Sequence, residues 1–170
     1  MTPEEISLCV KKLAAKIDEK FESIPDDEEI VFVGILKGVV VFLAELLKEL
    51  TITDPHIFLV GASSFSKVNE GAQERQKFTF TSGIDAEYLR GKHVVIVDEL
   101  FDQGKTMQKT KTLIEESCKE ANVPIKQIYT CALFVKNVPD RKYPLPTFTG
   151  IIDLPNVWFV GYGLDGKHGT

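Results

Sequence analysis

The chain has 170 residues, with 20 Lys and Arg against 25 Asp and Glu and a formal net charge of −5. That length accommodates one core and excludes separate cofactor and substrate halves, so residues 1–170 read as a single domain. The acidic balance argues against a general nucleic-acid binder, and 44% hydrophobic with 26% charged residues argues against wholesale disorder.

Thr2-Pro3-Glu4-Glu5 predicts a helix start, with Thr2 as N-cap, Pro3 in the first turn and Glu5 closing a capping box. Ile6, Val10, Leu13, Ile17 and Phe21 follow at helical spacing and form one apolar face. Ile30–Ile35 is a continuous apolar run, rich in β-branched residues, of the kind found in strands covered on both faces. Leu36-Lys37-Gly38 makes a turn, and 39–50 reads as a helix. Pro55 precedes a second strand, 56–65. The polar, aperiodic stretch 66–76 is expected to be a mobile loop or the tip of a hairpin returning near 78–81. A third buried strand is predicted at 93–97, a loop at 98–105 and a helix at 106–120. The fourth strand is expected at 127–135. Pro139, Pro144 and Pro146 mark 136–150 as loop, and 157–160 reads as a last short strand. Buried strands alternating with helices predict right-handed crossovers and a mainly parallel sheet. Ligands then bind outside the carboxyl ends of the strands, at the loops after Ile35, Val97 and Val135.

Cys9, Cys118 and Cys131 form no metal-binding spacing and read as reduced, mostly buried thiols. No basic region followed by an apolar run opens the chain, and the longest apolar stretch is interrupted by Lys37 and Glu45. A cytoplasmic protein without a membrane span is expected.

The loop after the third strand concentrates the chemistry. Gly104-Lys105-Thr106 resembles the end of a Walker A loop, but the first glycine of that motif would fall at Glu99. Two readings remain open: a phosphate cradle made by helix-start amides, or an ordinary turn with a Thr N-cap. Asp98 and Glu99 suit a sugar diol or a magnesium ion, or else belong to a solvated acidic loop. Lys37 and Lys136 each follow a buried strand, so both either snorkel to solvent or converge on one anion. Trp158 and Phe159 are core residues or, in part, a stacking surface. His56, His93 and His168 have no metal or triad spacing.

Together these segments resemble the hypoxanthine-guanine phosphoribosyltransferase family of type I phosphoribosyltransferases. Residues 94–107 resemble its phosphoribosyl pyrophosphate (PRPP) signature, and Val33 to Gly38 its pyrophosphate loop. Leu133-Phe134-Val135-Lys136 resembles its purine-recognition strand, and Trp158 to Asp165 its base-stacking and metal segment. Ser64-Phe65 resembles the pair opening its mobile catalytic loop. The likeness runs from the first helix to Asp165, with the motifs in family order.

The resemblance implies an α/β type I fold with a central sheet, a mobile loop or hairpin and a small hood. It implies transfer of ribose 5-phosphate from PRPP to a 6-oxopurine, assisted by Mg²⁺, in a homodimer or homotetramer that engages neither nucleic acid nor membrane. Asp98 and Glu99 would face the diol or its metal, and Asp165 a second metal. Asp102, Gln103, Gly104, Lys105 and Thr106 would clasp the 5-phosphate, with Asp102 also accepting a proton near purine N7. Lys37 and Gly38 would meet pyrophosphate, where the family commonly has a non-proline cis peptide. Lys136 would donate to O6, Trp158 would stack on the ring, and Phe159 and Asp165 would complete the purine site.

Three departures stand out. The acidic pair is Asp-Glu where the family usually has Glu-Asp, and Gln103 replaces a Thr or Ser. A family arginine following the aspartate at 165 has no counterpart, Lys167 being the nearest cation. Gln103 and the missing arginine would suit a different class, a regulator that has kept the fold and lost catalysis. The acidic charge and the retained Asp102 oppose that reading. A xanthine-preferring transferase is a further alternative, and the purine-strand match argues against a uracil one.

Overall fold

The computed structural model describes residues 1–25, 27–61 and 85–164. The elements run α1 (Pro3–Phe21), β1 (Ile30–Leu36), α2 (Val39–Glu49), β2 (His56–Gly61), a 3-10 turn (Ala86–Leu89), β3 (His93–Phe101), α3 (Lys105–Glu120), β4 (Gln127–Lys136) and β5 (Phe148–Leu154). The five described strands form one sheet in the order β2-β1-β3-β4-β5, every pair parallel.

The first helix starts as its residues require. The Thr2 hydroxyl accepts from the Glu5 amide at 3.3 Å, and the Glu5 carboxylate accepts from the Thr2 amide at 2.7 Å. The buried face is Val10, Leu13, Ala14, Ile17 and Phe21. It meets Phe42 and Leu46 of α2 and the sheet residues Phe32, Val95 and Leu133. Val31, Val33, Val94 and Ile96 point the other way, onto Met107 and Ile114 of α3 and onto Leu89. Successive strand residues face opposite sides. Helices cover both faces of the sheet's centre, so Ile30–Ile35 of β1 and Val94–Val97 of β3 are unbroken apolar runs, whereas the edge strands β2 and β5 keep exposed residues.

Three boundaries differ from the sequence reading. β3 continues through Phe101, so Asp98 and Glu99 are strand residues rather than loop, because Leu100 and Phe101 pair with Phe134 and Val135 of β4. The fifth strand is Phe148–Leu154, within and beyond the stretch expected as loop. Residues 157–160 form no strand, and Val157, Trp158 and Val160 are exposed. The sheet edge was taken by the segment in register with β4 (Cys131 with Phe148, Phe134 with Ile151) rather than by the more apolar one. The predicted 62–65 end of the second strand, the 66–76 loop and the 78–81 return lie outside the described residues.

His56 and His93 stand at the amino ends of β2 and β3, away from the carboxyl-end loops. His93 Nε2 contacts a Glu28 carboxylate oxygen at 2.7 Å, and the Tyr88 hydroxyl lies 2.5 Å from His56 Nδ1. These contacts hold the base of the sheet. The cysteines are free thiols, with Cys118 and Cys131 buried and Cys9 half-buried. Burial raises the thiol pKa of all three.

Candidate active site

Strand order reverses between β1 and β3, and the loops leaving their carboxyl ends flank that point. Gly38 is the N-cap of α2 and Gly104 the N-cap of α3, and neither helix has a side-chain cap. Their first-turn amides suit an anion. The Leu36–Lys37 peptide is cis, as the family resemblance implied. Lys37 is exposed and Gly38 buried.

Gly38 is where three segments meet. A Cβ there would collide with the Glu99 carboxylate, and a Cβ on Gly163 would collide with the Gly38 carbonyl. The turn after β1, the end of β3 and the segment 161–164 are therefore in van der Waals contact through two glycines. Glu99 is buried. Asp98 retains some exposure. Its burial, and then the neighbouring Glu99 charge, hold the Asp98 carboxyl well above the usual carboxylate range.

Asp98 and residues 100–107 line a cavity of about 240 Å³. Gln103 and Lys105 are exposed at its loop, and Thr106 is half-buried. Gly104 has φ +81, and a Cβ there would lie 2.5 Å from Phe101 Cζ and 3.2 Å from Tyr143 Cβ. Both the left-handed backbone and the close ring call for glycine. Gly104→Ala is expected to cost roughly 1–2 kcal/mol of stability from the backbone alone. It should also distort the turn that presents the α3 amides. Thermal melting checks the first effect, and a Michaelis constant for PRPP, the substrate the resemblance implies, raised at least about tenfold checks the second.

At the next strand end, Lys136 is buried, and its Nζ donates to Asp102 Oδ2 at 3.1 Å. The Asp102 side chain is 45% exposed, so this carboxylate faces the open crevice while its partner does not. Lys136 Nζ also lies 5.7 Å from the centre of the Phe159 ring. The two aromatic residues therefore divide. Phe159 is half-buried against Lys136, whereas Trp158 is 58% exposed and is not core.

Arg141 was not anticipated. Its Nε donates to the Asp102 carbonyl at 3.1 Å, an Nη donates to the Lys136 carbonyl, and its guanidinium lies over Phe101 at 5.2 Å. In sequence it is one cation in a Pro-punctuated loop, and only its place shortly after Lys136 hinted at a role. Tyr162, also unanticipated, donates to a Glu45 carboxylate oxygen and stands edge-on to Phe134. Burial, and then the bond to Glu45, raise the Tyr162 hydroxyl pKa. Thus Lys37, Gly38, Asp98, Glu99, residues 102–106, Lys136 and Phe159 all occupy the carboxyl ends of β1, β3 and β4 or the segment packed there. Ser64, Phe65, Asp165 and Lys167 lie outside the described residues.

The phosphoribosyl transferase domain family matches residues 4–167. The chain belongs to the phosphoribosyltransferase family. It is 31% identical to hypoxanthine phosphoribosyltransferase of Salmonella typhimurium, over 97% of this chain and 85% of that one. It is likewise 31% identical to hypoxanthine-guanine phosphoribosyltransferase of Aquifex aeolicus, over 98% and 85%. The crystal structure of a hypoxanthine-guanine phosphoribosyltransferase from Bacillus anthracis superposes with a TM-score of 0.74 at 28% identity. That likeness covers 97% of this chain and 86% of that one. The five-stranded parallel sheet flanked by helices is the type I phosphoribosyltransferase fold.

Proposed function

We propose that this phosphoribosyltransferase serves purine salvage, moving ribose 5-phosphate from PRPP to hypoxanthine or guanine to give IMP or GMP and pyrophosphate. The Lys136–Asp102 pair carries the reading. It places a donor-only ammonium and an acceptor carboxylate side by side at the mouth of an anion-suited loop.

A 6-oxopurine presents an acceptor at O6 beside a donor at N7, and the pair is complementary to that edge. As N9 bonds to the ribose C1, the bond from C1 to the pyrophosphate oxygen breaks and the N7 proton passes to Asp102. The amides of residues 104–106, with Thr106, hold the 5-phosphate, and Gln103 and Lys105 stand at its rim. Lys37 and Gly38 serve the pyrophosphate, Trp158 and Phe159 the ring. Trp158 is free to stack on a base because it is exposed.

Magnesium fits the residues present. Asp98 and Glu99 are hard oxygen donors at one strand end, and a cation would offset the desolvation and repulsion that raise the Asp98 pKa. Among the described residues no three metal-ligating side chains converge. Mg²⁺ needs only one or two carboxylates, because substrate phosphates and water complete its shell. When bound, it neutralises the leaving pyrophosphate. Asp165 belongs to this proposal as a second ligand.

No helix among the described residues is long and apolar enough to cross a membrane. A cytoplasmic location accords with the substrates. Exposed Leu8, Val40 and Val41 on α1 and α2 suit coverage by a second copy in a dimer or tetramer, which sedimentation checks.

The test is an assay of hypoxanthine, guanine, xanthine and adenine with PRPP and magnesium. Turnover of hypoxanthine or guanine with little of adenine is expected. Turnover of none, with PRPP still bound, would transfer the argument to a regulator that has lost catalysis.

A further inference from the structure

We propose that Arg141 is a positioning residue, a two-pronged tie that fixes the proton-accepting aspartate and the base-recognising lysine in one geometry. The inference rests on the reading of Asp102 and Lys136 given above.

The β3–β4 ladder ends at the Phe101–Val135 pair. Asp102 and Lys136 are the next residues out, where the two strands stop pairing and their side chains must act jointly. Arg141 adds a side-chain link between their carbonyls. One N–H reaches the Asp102 carbonyl at 3.1 Å and another reaches the Lys136 carbonyl. The side-chain pair at 3.1 Å closes the ring.

Both acceptors are main-chain oxygens. Arg141 therefore sets the position of the two groups rather than neutralising either. A guanidinium suits this because its donors are spread in a rigid planar fork. Its plane is steadied against the Phe101 ring at 5.2 Å. A lysine at 141 would bring a point charge able to serve one carbonyl at a time. The α3 amides that meet the 5-phosphate are organised by the helix itself, so loosening the tie should reach the base before it reaches PRPP.

Arg141→Ala, Arg141→Lys and Lys136→Ala are compared with the parent in steady-state assays of hypoxanthine and PRPP, alongside melting temperatures. Arg141→Ala is expected to raise the hypoxanthine KM about tenfold or more, as misplacement of reacting groups does. The PRPP KM should stay within about twofold and the melting temperature near the parent's. Millimolar guanidinium chloride should restore part of the loss, and Arg141→Lys should resemble Arg141→Ala.

A parent-like Arg141→Ala beside a crippled Lys136→Ala overturns the tie alone. Parent-like constants in both variants overturn the placement of Lys136 and the tie with it. Parent-like behaviour of Arg141→Lys, or a loss shared equally by PRPP with a lowered melting temperature and no rescue, also overturns the positioning role.

Discussion

Replacing Asp102 with Asn should lower kcat by roughly 10²- to 10⁴-fold, the usual cost of removing a general base. The amide keeps the shape of the side chain, and its oxygen can still accept from Lys136, which now donates to Asp102 at 3.1 Å. It cannot take the N7 proton. The cradle at Gly104 and the turn at Gly38 are untouched, so PRPP should bind with nearly the parent affinity. Equilibrium binding of PRPP and single-turnover kinetics separate the two effects. Parent-like turnover would remove Asp102 from the proton transfer. Reduced PRPP affinity with normal chemistry would assign it to the sugar-phosphate instead.

Lys136→Ala should damage use of the base and spare PRPP. A hydrogen bond to a charged group contributes about 1.5–3 kcal/mol, so the hypoxanthine KM should rise about ten- to a hundredfold. Lys136 is buried, with 7% side-chain exposure, and the ammonium has donors and no acceptor. It can meet an O6 but cannot accept from a 6-amino group. Discrimination between hypoxanthine and adenine should therefore shrink in the variant along with affinity. The half-exposed Asp102 left behind can be hydrated, so the cost to folding should be smaller than for a fully buried pair. A variant that loses PRPP affinity while keeping its preference for 6-oxopurines would refute this placement of Lys136.

Much of the fold was legible because its elements are locally determined. The capping box and apolar period of α1 need only neighbours in sequence. The unbroken apolar runs of β1 and β3 announce strands covered on both faces whatever covers them. The candidate site residues at 98–106 could be singled out for a related reason. An acidic pair, a glycine and a hydroxyl stand within nine consecutive residues, so their proximity along the chain requires no fold to bring it about.

The rest depended on register between distant segments. Extension of β3 through Phe101 follows from its pairing with β4, and the choice of 148–154 over 157–160 as edge strand follows from fit to the same neighbour. Local composition favoured the wrong segment, because Val157, Trp158 and Val160 are more apolar than an edge strand needs, and they remain exposed. Asp102 and Lys136 are 34 positions apart and meet because β3 and β4 end side by side. The sequence alone determined which residue types were available for the proposed phosphate, metal and base contacts. Only the tertiary structure decided that Phe159 rather than Trp158 meets Lys136, that Gly38 lies between Glu99 and Gly163, and that Arg141 spans two strand ends. Each of those contacts joins residues whose separation along the chain says nothing about their separation in space until the sheet has set its register.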